Sequence, residues 1–341
     1  MTRSVLGSIF YIRAMNILVT GCCGFIGTNF VRLVLKEKPD WNISNLDALT
    51  YAGNFENLKD AESNLHYNFF KGDITNDTDI LSAGDLLSGK PDAIVHFAAE
   101  SHVDNSIKNP GVFIRTNVEG TLKLLKYAKE KNIRFLQVST DEVYGTLGET
   151  GLFTEDTPLA PNSPYSASKA GADFLVRAWH ETYKLDTVTT RCSNNYGPYQ
   201  FPEKLIPLAV TNLMQGKKIP VYGKGLNIRD WLHVEDHCRG ILLALEKGVA
   251  GRVYNIGGSN EWKNIDIAKE LVKIMGMGED KIEFVTDRLG HDLRYAIDAT
   301  RIRKELGWEP KYTFETGLPE TVKWYKENEN WWKPLKERLC G

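Results

Sequence analysis

Tyr165 and Lys169 stand four residues apart at the head of a long amphipathic stretch, Tyr165–Tyr183. In a helix, positions i and i+4 share a face, so the ammonium and the phenol are neighbours. A nearby cation favours phenolate and lowers a tyrosine pKa from about 10. Tyr165 then becomes a usable base near neutrality. Upstream, Ser139-Thr140-Asp141-Glu142-Val143-Tyr144-Gly145 closes an apolar run and sets a hydroxyl beside two adjacent carboxyls. Two acids in one desolvated pocket cannot easily both carry charge, so they tend to divide into a proton donor and a proton acceptor. Neighbouring side chains on a strand point to opposite faces. A shared pocket therefore requires a turn just past Ser139. Taken singly, each motif has a plain alternative: a surface helix with this spacing by chance, or two solvated loop acids.

A third constellation changes that balance. Gly21-Cys22-Cys23-Gly24-Phe25-Ile26-Gly27 follows an apolar run, Asn16–Thr20, and opens an amphipathic stretch from Phe25 to Leu35. Glycines at a strand–helix turn let the chain bend sharply and let a pyrophosphate reach the amides of the helix N-terminus. Asp47 closes the next strand about twenty residues on, where a carboxylate accepts from ribose hydroxyls and repels a 2′-phosphate. The pattern points to NAD rather than NADP. Asp73-Ile74 and Phe97-Ala98-Ala99 end the third and fourth strands, and ligands of open α/β sheets lie outside such strand ends.

These residues need a scaffold, and the first half of the chain supplies one. Strand-like runs at Ile43–Asp47, Tyr67–Lys71, Ala93–Phe97, Phe135–Ser139 and Thr187–Arg191 alternate with helical patterns, notably Val112–Lys131 and Tyr165–Tyr183. Such alternation predicts an α/β fold: a Rossmann-type, doubly wound parallel sheet covered on both faces. Beyond Asn194, loops lengthen and proline and glycine recur. Residues 15–194 are thus expected to form the cofactor domain and 195–341 mainly a smaller C-terminal substrate-binding lobe. A segment of about 228–260, including helical Val234–Leu245 and the run Val253–Ile256, is expected to return to the first domain. Residues 1–14, ahead of the first strand, read as an extension without mechanistic weight.

Composition narrows the function classes. The chain of 341 residues is 42% hydrophobic and 25% charged, with a formal net charge of −2 and no long basic run. Nucleic acid as main partner needs a concentrated basic face and is disfavoured. The Val5–Tyr11 run is too short to span a membrane and has no small-residue cleavage site. Cys22, Cys23, Cys192, Cys238 and Cys340 show no CxxC spacing and are odd in number, which suits reduced thiols in a cytoplasm. His233 and His237 have a spacing that can bind metal, but lack HExxH order and a third ligand. No metal site is expected. The aromatic tail Trp324, Tyr325, Trp331, Trp332 reads as packing.

The combination of GxxGxxG with YxxxK resembles the extended short-chain dehydrogenase/reductase family. Ser139–Gly145 resembles that family's nucleotide-sugar 4,6-dehydratases, with dTDP-glucose as the implied substrate. Further matches are Asp47–Asn54, Ala98–Asp104, Arg191–Pro198 and Asp287–Asp292, spanning about residues 15–335. The resemblance implies a role in deoxysugar and rhamnose precursor synthesis. It implies that Tyr165 takes the sugar 4-hydroxyl proton as NAD takes hydride from C4. Thr140 and Lys169 then hold the hydroxyl and the nicotinamide ribose, Glu142 removes the C5 proton and Asp141 protonates the departing 6-hydroxyl. Hydride finally returns to C6. The resemblance also assigns Phe25, Ile26, Leu49, Thr50, Ile74, Ser101, Thr116 and Asn195 to the cofactor. It assigns Ser101, Thr140, Asn194, Lys204, Leu205, Pro220, Val221, Tyr222, Arg229, Asn264, Asp287, Arg288 and His291 to the substrate. Arg229 is the expected diphosphate clamp, since guanidinium gives bidentate, permanently charged contacts; the alternative is an ion pair with Asp230. A homodimer through the Val112–Lys131 and Tyr165–Tyr183 helices is implied as well.

Two departures from the family stand out. Cys22-Cys23 replaces small residues between the first glycines, and Leu289 stands where proline is frequent. The rivals are the same elimination on UDP-glucose, a UDP-sugar 4-epimerase or UDP-glucuronate decarboxylase, and an NAD-sensing regulator. Neither epimerase nor decarboxylase needs an acid pair to expel a 6-hydroxyl, and a regulator has no use for Tyr165, Lys169 and the acids together.

Overall fold

The computed structural model describes residues 14–287 and 292–338. The expected extension up to Arg13, with Arg288, Leu289, His291 and Cys340, lies outside the described residues. A seven-stranded sheet organises the chain. Its first six strands are β1 (Asn16–Thr20), β2 (Asn42–Asp47), β3 (Tyr67–Lys71), β4 (Ala93–His96), β5 (Arg134–Thr140) and β6 (Thr187–Cys192). They run in the order β6-β5-β4-β1-β2-β3, with Val253–Ile256 on the outer edge of β6. All pairings are parallel. Strands such as β1 and β4 read as unbroken apolar runs because helices bury both of their faces. Burial of Leu18, Ile94 and Phe135 on one side and Ile17, Val95 and Leu136 on the other is complete. Each such side chain contributes about 1.5–3 kcal/mol. Strand order reverses between β1 and β4, which opens a crevice at their carboxyl ends.

The helix Phe25–Glu37 starts directly on the glycine turn, with Gly24 as N-cap and no acid in its first turn. The helix Pro164–Tyr183 begins at a reciprocal Ser163/Ser166 cap with Pro164 in the first turn, which fixes where Tyr165 emerges. The stretch expected as one helix over Val112–Lys131 is instead Pro110–Phe113, a π-helical segment Ile114–Gly120, and Thr121–Lys131. Periodicity cannot report this widening. It coincides with Asn117, whose side chain bonds Glu100 N (2.9 Å), Glu100 O (3.0 Å) and Ser168 Oγ (2.8 Å).

The remaining strands form two small sheets over a separate core including Ile206, Trp231, Leu271 and Phe314. In one, Ile228–His233 pairs with Asn194–Tyr196, Glu261–Lys263 and Arg294–Tyr295; in the other, Ile219–Tyr222 pairs with Ile282–Val285. Within the stretch 228–260, then, Ile228–His233 stays in this second unit. The helix Val234–Lys247 packs on Phe25–Glu37, and Val253–Ile256 joins the seven-stranded sheet. Trp332 and Tyr325 are buried in the second core, with Trp324 and Trp331 packed against it.

Candidate active site

The three glycines meet three different demands. Gly21 has φ +75°, and a Cβ there would lie 2.5 Å from Ala98 Cα. A Cβ on Gly27 would come within 2.6 Å of Cys22 Cα, so this glycine lets helix and strand touch. Gly24 differs: its Cβ would meet only the Gly21 carbonyl, at 3.3 Å. Packing does not require glycine there, and the vacant side faces the cleft. The first-turn amides have no intrahelical acceptor and the helix dipole favours an anion beside them. That cradle fits a dinucleotide pyrophosphate. Gly24→Val is expected to keep the fold and weaken NAD binding roughly 100-fold, the loss of two charge-assisted hydrogen bonds at about 1.5 kcal/mol each; isothermal titration measures it.

Asp47 is buried at the end of β2, its carboxylate accepting from Cys23 N (2.8 Å) and Leu49 N (2.8 Å). Burial raises its pKa. Leu49 has a left-handed backbone (φ +53°) and is not among the residues that line the cleft. Its contribution is the amide that orients Asp47.

At the chemical end, β5 stops at Thr140 and a short helical turn, Asp141–Tyr144, follows, with Thr140 Oγ1 accepting from Glu142 N (3.3 Å). This is the turn that two acids in one pocket require. Their environments then diverge. Asp141 is 2% exposed and Glu142 is half-buried. Burial, and next the charge of Glu142, push the Asp141 carboxyl well above the ordinary range. Its Oδ2 is buried with no hydrogen-bond partner among the described residues. An acid so placed is biased toward its neutral form.

Tyr165 lies close to Thr140, but its phenol does not behave as the spacing alone suggests. Burial first, then Glu142, raise its pKa well above the ordinary value. Lys169 donates instead to the Val138 carbonyl at 2.8 Å, and burial lowers its own pKa. The i, i+4 geometry is present; the expected acidification is not, because desolvation of both groups outweighs their proximity.

One cleft of about 540 Å³ joins both ends. It is lined by Gly21, Gly24, Phe25, Ile26, Gly27, Asp47, Thr50, Asp73, Ile74, Phe97, Ala98, Ala99, Ser101, Thr116 and Asn195 on the cofactor side. Thr140, Asp141, Glu142, Tyr165 and Lys169 follow, then Asn194, Lys204, Leu205, Pro220, Val221, Tyr222, Arg229 and Asn264. Asp287 lies outside this lining, its carboxylate near Gly223. Arg229 does not pair with Asp230. Its guanidinium donates to the carbonyls of Ile228 (2.7 Å) and Asp292 (2.9 Å) and lies 4.3 Å from the Tyr295 ring centroid. Asp230 accepts from the amides of Gly258 and Asn260. His233 stacks on Tyr312 and His237 bonds Asn195.

The cleft also contains residues the sequence reading left unassigned. Glu100, His102, Glu203 and Tyr295 line it. Tyr51 donates to Glu203 at 3.1 Å, and burial raises Glu100 with Glu203 as second cause. Glu100 and His102 lie within a quoted motif and Glu203 directly precedes Lys204, so their neighbourhood was visible. Tyr295 follows the Asp287–Asp292 loop and carried no local sign.

A pyrophosphate cradle, a strand-end acid and a buried tyrosine–lysine helix opening on one cleft define an extended short-chain dehydrogenase/reductase. The GDP-mannose 4,6-dehydratase family model matches residues 18–321. A dTDP-glucose 4,6-dehydratase of Xanthomonas campestris is 52% identical over 333 residues, 92% of this chain and 94% of that one. The crystal structure of a dTDP-glucose 4,6-dehydratase from Bacillus anthracis in complex with NAD is 54% identical, with TM-score 0.89 over 94% of this chain and all of that one. The Streptomyces venezuelae dTDP-glucose 4,6-dehydratase, with NAD and TYD bound, is 51% identical, with TM-score 0.90 at the same coverage. The chain belongs to this dehydratase family, among its dTDP-glucose 4,6-dehydratases.

Proposed function

We propose that this protein is an NAD-dependent hydro-lyase that converts dTDP-glucose to dTDP-4-keto-6-deoxyglucose, a deoxysugar precursor. The observation that carries the reading is the divided acid pair: a buried Asp141, its carboxyl pushed upward by burial, beside a half-buried Glu142, on the turn that touches Tyr165.

Gly21, Gly24, Phe25, Ile26 and Gly27 hold the pyrophosphate of NAD, Asp47 its ribose, and Ala98, Ala99 and Thr116 the middle of the molecule. When bound, NAD supplies the acceptor for the C4 hydride, its donor to C6, and a positive charge in the cleft that offsets the burial of Tyr165. Tyr165 takes the proton from the 4-hydroxyl through an oxygen that Thr140 holds in place. The 4-ketone acidifies the C5–H, and Glu142, the better solvated carboxyl, removes that proton. Asp141 passes its proton to the 6-hydroxyl, which leaves as water, and Glu142 returns a solvent-exchanged proton to C5 as C6 is reduced. A carboxyl kept neutral by burial is suited to protonating a poor leaving group, since its proton is released only to a stronger base. Arg229, Lys204 and Asn194 hold the nucleotide diphosphate, and the seven-stranded unit and the smaller one divide cofactor from substrate.

Incubation with dTDP-glucose and with UDP-glucose, each in deuterated water, tests this. Loss of one water with deuterium at C5 from dTDP-glucose is expected; an epimerised product of unchanged mass sinks it. Faster turnover of UDP-glucose sinks the base assignment alone.

The protein acts as a homodimer in the cytoplasm. Supporting the dimer, Phe174 is 57% exposed on the Pro164–Tyr183 helix, with Ile107 and Ile114 exposed on the segment packed beside it. Supporting the compartment, Cys22, Cys23, Cys192 and Cys238 are unpaired thiols. Among the described residues no helix is long and apolar enough to cross a membrane. Phe174→Glu places a charge in that apolar contact and is expected to shift the mass by light scattering from dimer to monomer.

A further inference from the structure

The reactive face of the catalytic helix continues inward past its tyrosine–lysine pair. Tyr165, Lys169 and Asp173 occupy i, i+4 and i+8 of Pro164–Tyr183, one above another on a single side. Lys169 and Asp173 are each 4% exposed, and Arg191 on β6 is 6% exposed. Asp173 Oδ2 accepts from Arg191 Nε at 2.9 Å. Arg191 Nη1 donates to Tyr144 Oη at 3.0 Å, and Tyr144 donates to Asn255 Oδ1 at 2.8 Å. The Tyr144 ring stacks on Phe153 with centroids 5.0 Å apart. Tyr144 is the last residue of the turn that carries Asp141 and Glu142. Asp173 Oδ1 is buried as well and has no hydrogen-bond partner among the described residues.

Two buried cations therefore flank one carboxylate, Arg191 in a direct ion pair and Lys169 one helical turn away. A buried ammonium lacking a counter-charge gives up its proton. Burial pulls Lys169 down, while Asp173 and, less strongly, Cys192 on β6 oppose this. His96 on β4 also senses Lys169; its imidazole is neutral, burial having lowered its pKa to about 3. Tyr165 faces Lys169 from one helical turn away, and the cleft acids Asp141 and Glu142 lie beyond the phenol.

We propose that Asp173, fixed by Arg191, is a positioning residue for the reaction. Its carboxylate keeps Lys169 an ammonium beneath the cleft, and Arg191 ties that same carboxylate to the turn bearing the acid pair. The redox and elimination halves of the site are thereby held in one register. The claim rests on the proposed role of Lys169 as a charged partner of Tyr165 and the cofactor.

A double-mutant cycle in thermal stability tests it without substrate, so an error in the substrate assignment leaves its outcome unaffected. The set is the unaltered dimer, Asp173→Asn, Lys169→Met and the double variant, each melted by circular dichroism. Asp173→Asn is expected to lower Tm by several degrees alone and by less than half as much beside Lys169→Met, because buried charges one helical turn apart couple. Folding of the double variant where Asp173→Asn fails to fold has the same meaning. Equal losses in both backgrounds, or failure of both to fold, would make Asp173 a partner of Arg191 only and overturn the proposal. With folded Asp173→Asn, the alkaline limb of the rate profile should move about one unit to lower pH, since less alkali then neutralises Lys169. Asp173→Glu should restore the limb. A slower enzyme with an unmoved limb would reduce Asp173 to packing.

Discussion

Glu142→Gln is expected to stop the reaction after the first oxidation and before loss of water. The amide keeps the size and approximate polarity of the carboxylate but cannot accept the C5 proton. Removing a positioned general base costs on the order of 10²–10⁴ in rate, and a C–H, even one acidified by the neighbouring ketone, places this step near the upper end. Cofactor affinity should be unchanged, because Glu142 belongs neither to the glycine turn nor to the end of β2 that are proposed to hold the cofactor. Acid-quenched samples should contain hexose two mass units lighter than substrate, with no dehydrated sugar and no deuterium at C5. Normal dehydration by this variant would remove Glu142 from its role.

Asp141→Asn should lose activity and gain stability, a pairing that follows from the direction of its pKa. As proton donor, Asp141 works only when neutral, and asparagine cannot replace it. A turnover loss of about 100- to 1000-fold is expected for a lost general acid. The stability effect has a definite sign. Burial raises the folded pKa above the ordinary carboxyl value, so the folded state binds the proton more tightly than the unfolded chain does. Stability from this group is fully present below the unfolded pKa of about 3.9 and declines as pH rises toward the folded value. Asparagine has no such decline. The Tm of Asp141→Asn relative to the unaltered protein should therefore climb between pH 5 and pH 8. A constant difference across that range would mean that Asp141 is ionised in the folded protein and cannot be the acid.

Much of the site was legible because its chemistry is written in local spacing. The glycine turn, Asp47 and the Tyr165–Lys169 interval each involve residues whose relation is fixed by one turn or one strand, and short-range backbone geometry transmits them directly. Strand–helix alternation was legible for the same reason, since burial on both faces forces apolar runs. The π-helical widening at Asn117 was not, because it answers to Glu100 and Ser168, which are distant in sequence.

By itself the sequence determined the parallel α/β sheet, the dinucleotide turn and the residues now proposed to react. Tertiary structure alone decided which acid of the adjacent pair is the more buried, that Lys169 donates to the Val138 carbonyl, and that Tyr295, Glu100 and Glu203 share the cleft. Desolvation and through-space charge depend on what packs around a group from every side, and no local run of residues records that.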